Sequence, residues 1–124
     1  MAFLVAMAAW LALVAHPDKT GAGERDVDQL VSRSTWLLYQ YCKSETELKV
    51  NWCDGYLSGM ADVLIALGNS NMPGGICGAV YDQSGLRSVF IQWVEKNADK
   101  LGVDRAVSVQ NAFTDEWPCN RRFP

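Results

Sequence analysis

The sequence predicts an all-α fold, a compact bundle of about four helices stapled by two disulfides. Apolar residues recur at three- and four-residue spacing through successive stretches, and no stretch shows the strict alternation of a half-buried strand. Four cysteines, at 42, 53, 77 and 119, form an even set in 124 residues, the pattern of a disulfide framework in an oxidising compartment. Hydrophobic content of 49% suits one domain with one core.

The chain opens on Met1 to Ala15 (MAFLVAMAAWLALVA), uncharged and rich in Ala, Leu and Val. This segment has the character of an export signal cleaved after Ala15, and it is short of the about 20 apolar residues that span a bilayer. Once the signal is removed, the mature chain is expected to have no membrane association. Residues 16–25 (HPDKTGAGER) lack periodic apolar positions and read as a flexible leader. The helical domain is then expected over 26–124.

Val27, Leu30, Val31, Ser34, Leu37, Leu38 and Tyr41 predict a first helix with one buried face, from about Asp26 to Cys42. Ser44-Glu45-Thr46-Glu47 has the capping-box form S-x-x-E, which starts a second helix near Glu45. That helix carries two apolar stripes, Leu48, Trp52, Tyr56, Met60, Val63 and Leu67 beside Cys53, Leu57, Met60 and Leu64, and is expected to be the most buried. Gly55 and Gly59 would each cost about 1 kcal/mol in its interior, so a neighbouring helix is expected to approach closely there. Residues 68–82 (GNSNMPGGICGAVYD) break any helix, and a loop of this length in a compact domain is commonly functional. Ser84 is placed as the cap of a third helix carrying Leu86, Val89, Phe90, Trp93 and Val94. Asp104 is placed as the cap of a fourth, which ends before Trp117-Pro118-Cys119 because Pro118 lacks the amide a helix needs. Trp36, Trp52, Trp93 and Trp117 are assigned to the core or to a dimer seam.

Several functions are disfavoured by composition. A net charge of -3 opposes binding to nucleic acid. Zinc sites draw ligand pairs from tight C-x-x-C turns, and none is present. A cysteine nucleophile needs a base, most often histidine, and the single histidine, His16, lies beside the expected signal. Asp54 and Asp62 fall about 12 Å apart along one helix, too far to share a proton, and Asp62 is expected to be partly buried against a neighbouring helix end. No metal or cofactor is implied, and the reading is of a binding protein, not an enzyme.

The run Cys53-Asp54-Gly55-Tyr56-Leu57-Ser58-Gly59-Met60-Ala61-Asp62, with Ile76-Cys77 and Trp117-Pro118-Cys119, resembles the C-x-G-Y-x-x-G-x-x-D … C … P-C pattern of Rap/Tai-type immunity proteins. Cys42 matches that family's upstream cysteine, and Gly55, Tyr56, Gly59 and Asp62 are the other motif positions. The resemblance runs from about Asp26 to Cys119. It implies a small helical periplasmic protein, often a homodimer, that binds and occludes a type VI secretion effector, such effectors being peptidoglycan amidases with a cysteine nucleophile. Under that reading the 68–82 loop is the expected effector-binding surface, with Asn69, Asn71, Met72 and Tyr81 as contacts. An HdeA-like periplasmic acid-stress chaperone is the alternative, similar only around the second helix. Four cysteines permit three pairings; placing Cys77 on the loop that leaves the central helix favours Cys53 with Cys77, and Cys42 with Cys119.

Overall fold

A computed structural model describes residues 32–120. The expected signal, the leader and the opening turns of the first helix at 26–31 lie outside the described residues. Among the described residues the architecture is four α-helices, α1 (Thr35–Cys42), α2 (Glu47–Asn69), α3 (Gln83–Lys96) and α4 (Arg105–Glu116), with a 3-10 turn at Ala98–Lys100.

The helix starts show how local side-chain chemistry sets boundaries. Ser34 takes extended backbone angles and its hydroxyl accepts from the Leu37 amide, so α1 begins at Thr35 instead of continuing through Ser34 from near Asp26. The Thr35 and Trp36 amides donate to the carbonyls of Val103 and Leu101 at 2.8 and 3.0 Å, which ties the start of α1 to the segment entering α4. Short hydroxyl side chains favour such caps over helix interiors. The Ser44 hydroxyl accepts from the Thr46 amide, a turn two residues long, so the capping box does not form and α2 starts at Glu47. Asp82, not Ser84, caps α3, its carboxylate accepting from the Gly85 amide at 2.7 Å. Asp104 caps α4 as expected, accepting from the Ala106 amide.

The core joins Leu38 of α1, Leu57 and Leu64 of α2, Leu86 and Phe90 of α3, and Val109 and Phe113 of α4, all essentially inaccessible to solvent. Two buried hydroxyls sit among them. Thr35 donates to the Val103 carbonyl at 2.7 Å and pairs with the Ser108 hydroxyl at 2.6 Å, which satisfies groups that would otherwise be costly to bury. Between α2 and α3, buried Asp54 stands 2.8 Å from Nε of Arg87. The N–H is not aligned as an ordinary hydrogen bond, so the contact acts as an ion pair across the helix interface.

The disulfides are Cys42–Cys53 and Cys77–Cys119, with Cα separations of 5.2 and 4.9 Å, which corrects the pairing of Cys53 with Cys77 and of Cys42 with Cys119. The reason is length along the helix. Cys53 lies in the second turn of α2, and 15 residues of helix, about 22 Å, separate it from Gly68, where the loop bearing Cys77 crosses. Cys42 ends α1 only a short turn away from α2, so it is the sulfur within reach.

Candidate functional site

Two surface features stand out, at opposite ends of α2. The first is the connection 70–82, which is long but firmly held. Its backbone crosses the last turn of α2 at a glycine-on-glycine contact: a Cβ on Gly68 would lie 2.0 Å from the Ile76 carbonyl oxygen, and one on Gly75 would lie 2.2 Å from the Gly68 nitrogen. Only hydrogen at both α-carbons permits that approach. Ile76 then drops into the core, 1% exposed, with its amide bonded to the Leu64 carbonyl at 3.0 Å. Gln110 donates to the Gly74 carbonyl at 3.0 Å, and the Cys77 amide donates to the Trp117 carbonyl at 3.1 Å.

This anchoring leaves a presented tip. Asn69, Asn71 and Met72 are exposed beside the end of α2, Asn71 with φ of 58°, a left-handed angle that asparagine tolerates better than most residues. The Met72 amide is bonded back to the Leu67 carbonyl at 2.9 Å, so the side chain, 52% exposed, projects from a fixed backbone. Tyr81 is placed differently from the other three: it is half-buried, with its ring 5.6 Å from that of Trp117. Next to it, Val80 is 91% exposed. A lone valine in an irregular segment carries no periodicity, so sequence patterning gave no sign of it.

The second feature lies on α2 near its start. Of the two stripes expected to be buried, the one through Cys53, Leu57 and Leu64 is fully enclosed; in the other, Tyr56, Met60 and Leu67 pack at the edge of the core, while Leu48, Trp52 and Val63 remain 77%, 40% and 58% exposed. Gly55 and Gly59 also face outward, and a Cβ on either would meet nothing within 4 Å. Among the described residues no neighbouring helix approaches them, and Asp62 is exposed instead of partly buried. Trp36 is exposed as well, while Trp93 and Trp117 are half-buried. Along this edge Trp52 meets Tyr41 edge-on at 5.1 Å and stacks on Tyr56 at 5.7 Å. The guanidinium of Arg105, from the first turn of α4, lies 5.2 and 4.8 Å from the Trp52 and Tyr56 ring centres. Desolvation raises the Tyr56 pKa above its ordinary value, and the Arg105 charge partly opposes this.

All four cysteines are oxidised, so none is a thiolate, and among the described residues no three His, Cys, Asp or Glu side chains group as metal ligands. A cleft of about 280 Å³ between α3 and α4 is bordered by Trp93, Lys96, Asp115 and Glu116, and the Trp93 indole donates to Asp115 at 3.0 Å. Among the described residues no helix is long and apolar enough to cross a membrane, and the two disulfides fit an exported protein.

No curated protein and no solved structure matches the chain. The family of Rap1a immunity proteins matches over residues 34–119, from the cap of α1 to the last cysteine. That span contains all four helices, both disulfides and the crossing loop, and it is more than half of the sequence, so the chain belongs to the Rap1a immunity protein family.

Proposed function

We propose that the protein is a periplasmic immunity protein that binds and occludes a type VI secretion effector, of the class of peptidoglycan amidases with a cysteine nucleophile. The observation that carries this reading is the 70–82 connection: a loop pinned by core, hydrogen bonds and a disulfide, yet exposing apolar side chains. Ordering that loop costs little on binding because it is already held, which is how preorganised surfaces gain affinity. Asn69, Asn71 and Met72 are the contacts at the tip, and Val80, carried by Tyr81 against Trp117, is the second apolar contact. Such side chains suit a partly apolar cleft, and filling it blocks substrate without chemistry on the inhibitor.

The test is binding to, and inhibition of, any peptidoglycan amidase with a cysteine–histidine pair that a neighbouring gene encodes. Met72→Asp and Val80→Asp, each placing a charge at an exposed site, are expected to leave the fold intact and to weaken binding by at least about tenfold, the loss of a contact worth roughly 1.4 kcal/mol. A protein that neither binds nor inhibits that amidase, or variants that bind as tightly as the parent, would overturn the reading.

The outward face of α2 supports a second contact, with another copy of the chain. Leu48 and Trp52 stand at one end of the face, Val63 and Ala66 at the other, and Gly55 and Gly59 lie between. In an antiparallel, two-fold crossing each large end meets a smaller one, and the glycines allow the backbones to come close. An isologous interface needs that self-complementarity.

A further inference from the structure

Among the remaining features, the two disulfides differ in a way that bears on the loop. Cys42 and Cys53 are buried, 4% and 0% exposed, and their bridge joins two helices whose apolar faces are already packed against each other. Cys77 and Cys119 are both only partly buried. Their bridge spans a sequence separation of 42 and fastens the middle of the connection to the segment after α4. Cys119 Sγ sits 3.5 Å from the Gly75 carbonyl oxygen and next to Gly68, so the sulfur closes over the crossing that shapes the tip.

We infer that Cys77–Cys119 is a selectively reducible latch that sets the conformation of the 70–82 loop, whereas Cys42–Cys53 is an inert structural bridge. Thiol–disulfide exchange requires a thiolate to reach a sulfur along the S–S axis, so access governs which bridge exchanges first. A dithiol reductant attacks the accessible bridge. Its own two thiols end as a disulfide, and Cys77 and Cys119 each leave as a thiol, having taken up two electrons and two protons between them. On the 78–82 side, what then holds the loop is the Cys77 amide bond to the Trp117 carbonyl, Ala79 against the core and the Tyr81 ring contact with Trp117, and Trp117 itself lies two residues before the freed Cys119. On the 70–76 side, Ile76 and the Gln110 contact with Gly74 remain. The loop is therefore expected to loosen from Cys77 onward while α1 to α4 stay packed around the core.

The consequence rests on the loop being the recognition surface: the protein gains full inhibitory capacity only after oxidation outside the cytosol, and a reducing compartment holds it in a weakened form.

The experiment uses the mature protein in graded dithiothreitol, with free thiols trapped by N-ethylmaleimide and mapped by mass spectrometry. Cys77 and Cys119 are expected to be alkylated at least about tenfold faster than Cys42 and Cys53, exchange rate following access. At that stage far-UV helicity is expected to persist, and cleavage within 70–82 by a nonspecific protease to rise at least about tenfold, as local opening predicts. Simultaneous reduction of both bridges, earlier reduction of Cys42–Cys53, or an unchanged cleavage rate in the loop would each overturn the latch. The Cys77→Ser, Cys119→Ser double variant provides a second measure, its loop being expected to be cleaved as in the half-reduced protein; protection equal to the parent would overturn the inference. The half-reduced protein is also assayed against the amidase named above. A loosened loop with inhibition retained would leave the latch standing and remove Val80 and Tyr81, on the part that loosens, from the recognition surface, whereas a protected loop defeats the latch whatever the inhibition.

Discussion

Tyr56 shows how much a single residue's role depends on partners distant in sequence. It lies one turn after Trp52 and stacks on it, and both rings are met by Arg105, nearly fifty residues further on. Desolvation holds its phenol protonated above the ordinary value, near 10 for tyrosine. A raised folded-state pKa contributes stability that is present below the unfolded value and is lost as pH rises through the folded one. Urea unfolding at about pH 8 and pH 11, either side of the tyrosine range, is therefore expected to show a smaller drop in stability for Tyr56→Phe than for the parent. Equal drops would show that this phenol does not contribute to alkaline destabilisation. The motif position was visible as a tyrosine in C-x-G-Y, but its cation partner was not, because Arg105 reaches it only through the packing of α4 on α2. Asp54 is similar: an acidic residue in the sequence, and an ion pair with Arg87 only once α3 is in place.

At the scale of the element, α2 forms as the long helix the apolar spacing predicts, but its two stripes are not both buried. Two adjacent apolar stripes look alike in a periodicity argument, and a four-helix arrangement has room to cover only one side of a helix at its margin. The stripe through Cys53, Leu57 and Leu64 is covered, and the other is covered only at Tyr56, Met60 and Leu67 and left open at Leu48, Trp52 and Val63. Gly55 and Gly59 belong to the uncovered side, so among the described residues nothing repays their cost. Gly55→Ala and Gly59→Ala are expected to raise the stability of dilute protein by up to about 1 kcal/mol each, measured by urea unfolding. Gly59→Leu, tolerated for the same reason, is expected to abolish self-association in sedimentation experiments through the proposed seam. Destabilisation by the alanines would mean that a neighbour does approach these positions, and unchanged sedimentation of Gly59→Leu would place any seam elsewhere.

For the whole molecule, the disulfides supply much of what a core of this size lacks. Closing sequence separations of 11 and 42 is worth about 3 and about 4 kcal/mol in the chain-entropy account, comparable with the 5 to 15 kcal/mol of a typical domain. Complete reduction, unlike opening of Cys77–Cys119 alone, is expected to shift the urea midpoint down sharply, with most far-UV helicity lost at about 3 M urea given ordinary denaturant slopes. An unchanged midpoint would show that packing alone sustains the bundle. Helix number and order, the Asp104 cap, the stop before Pro118, the oxidised state of the cysteines and the family were all legible in the sequence, because each follows from near neighbours or from ordered spacing along the chain. The pairing of the sulfurs, the outward face of α2, the Arg105 stack and the exposed Val80 were decided by the tertiary structure alone. Those depend on which helix faces meet and how far a rigid helix separates two residues, and a one-dimensional pattern carries neither quantity.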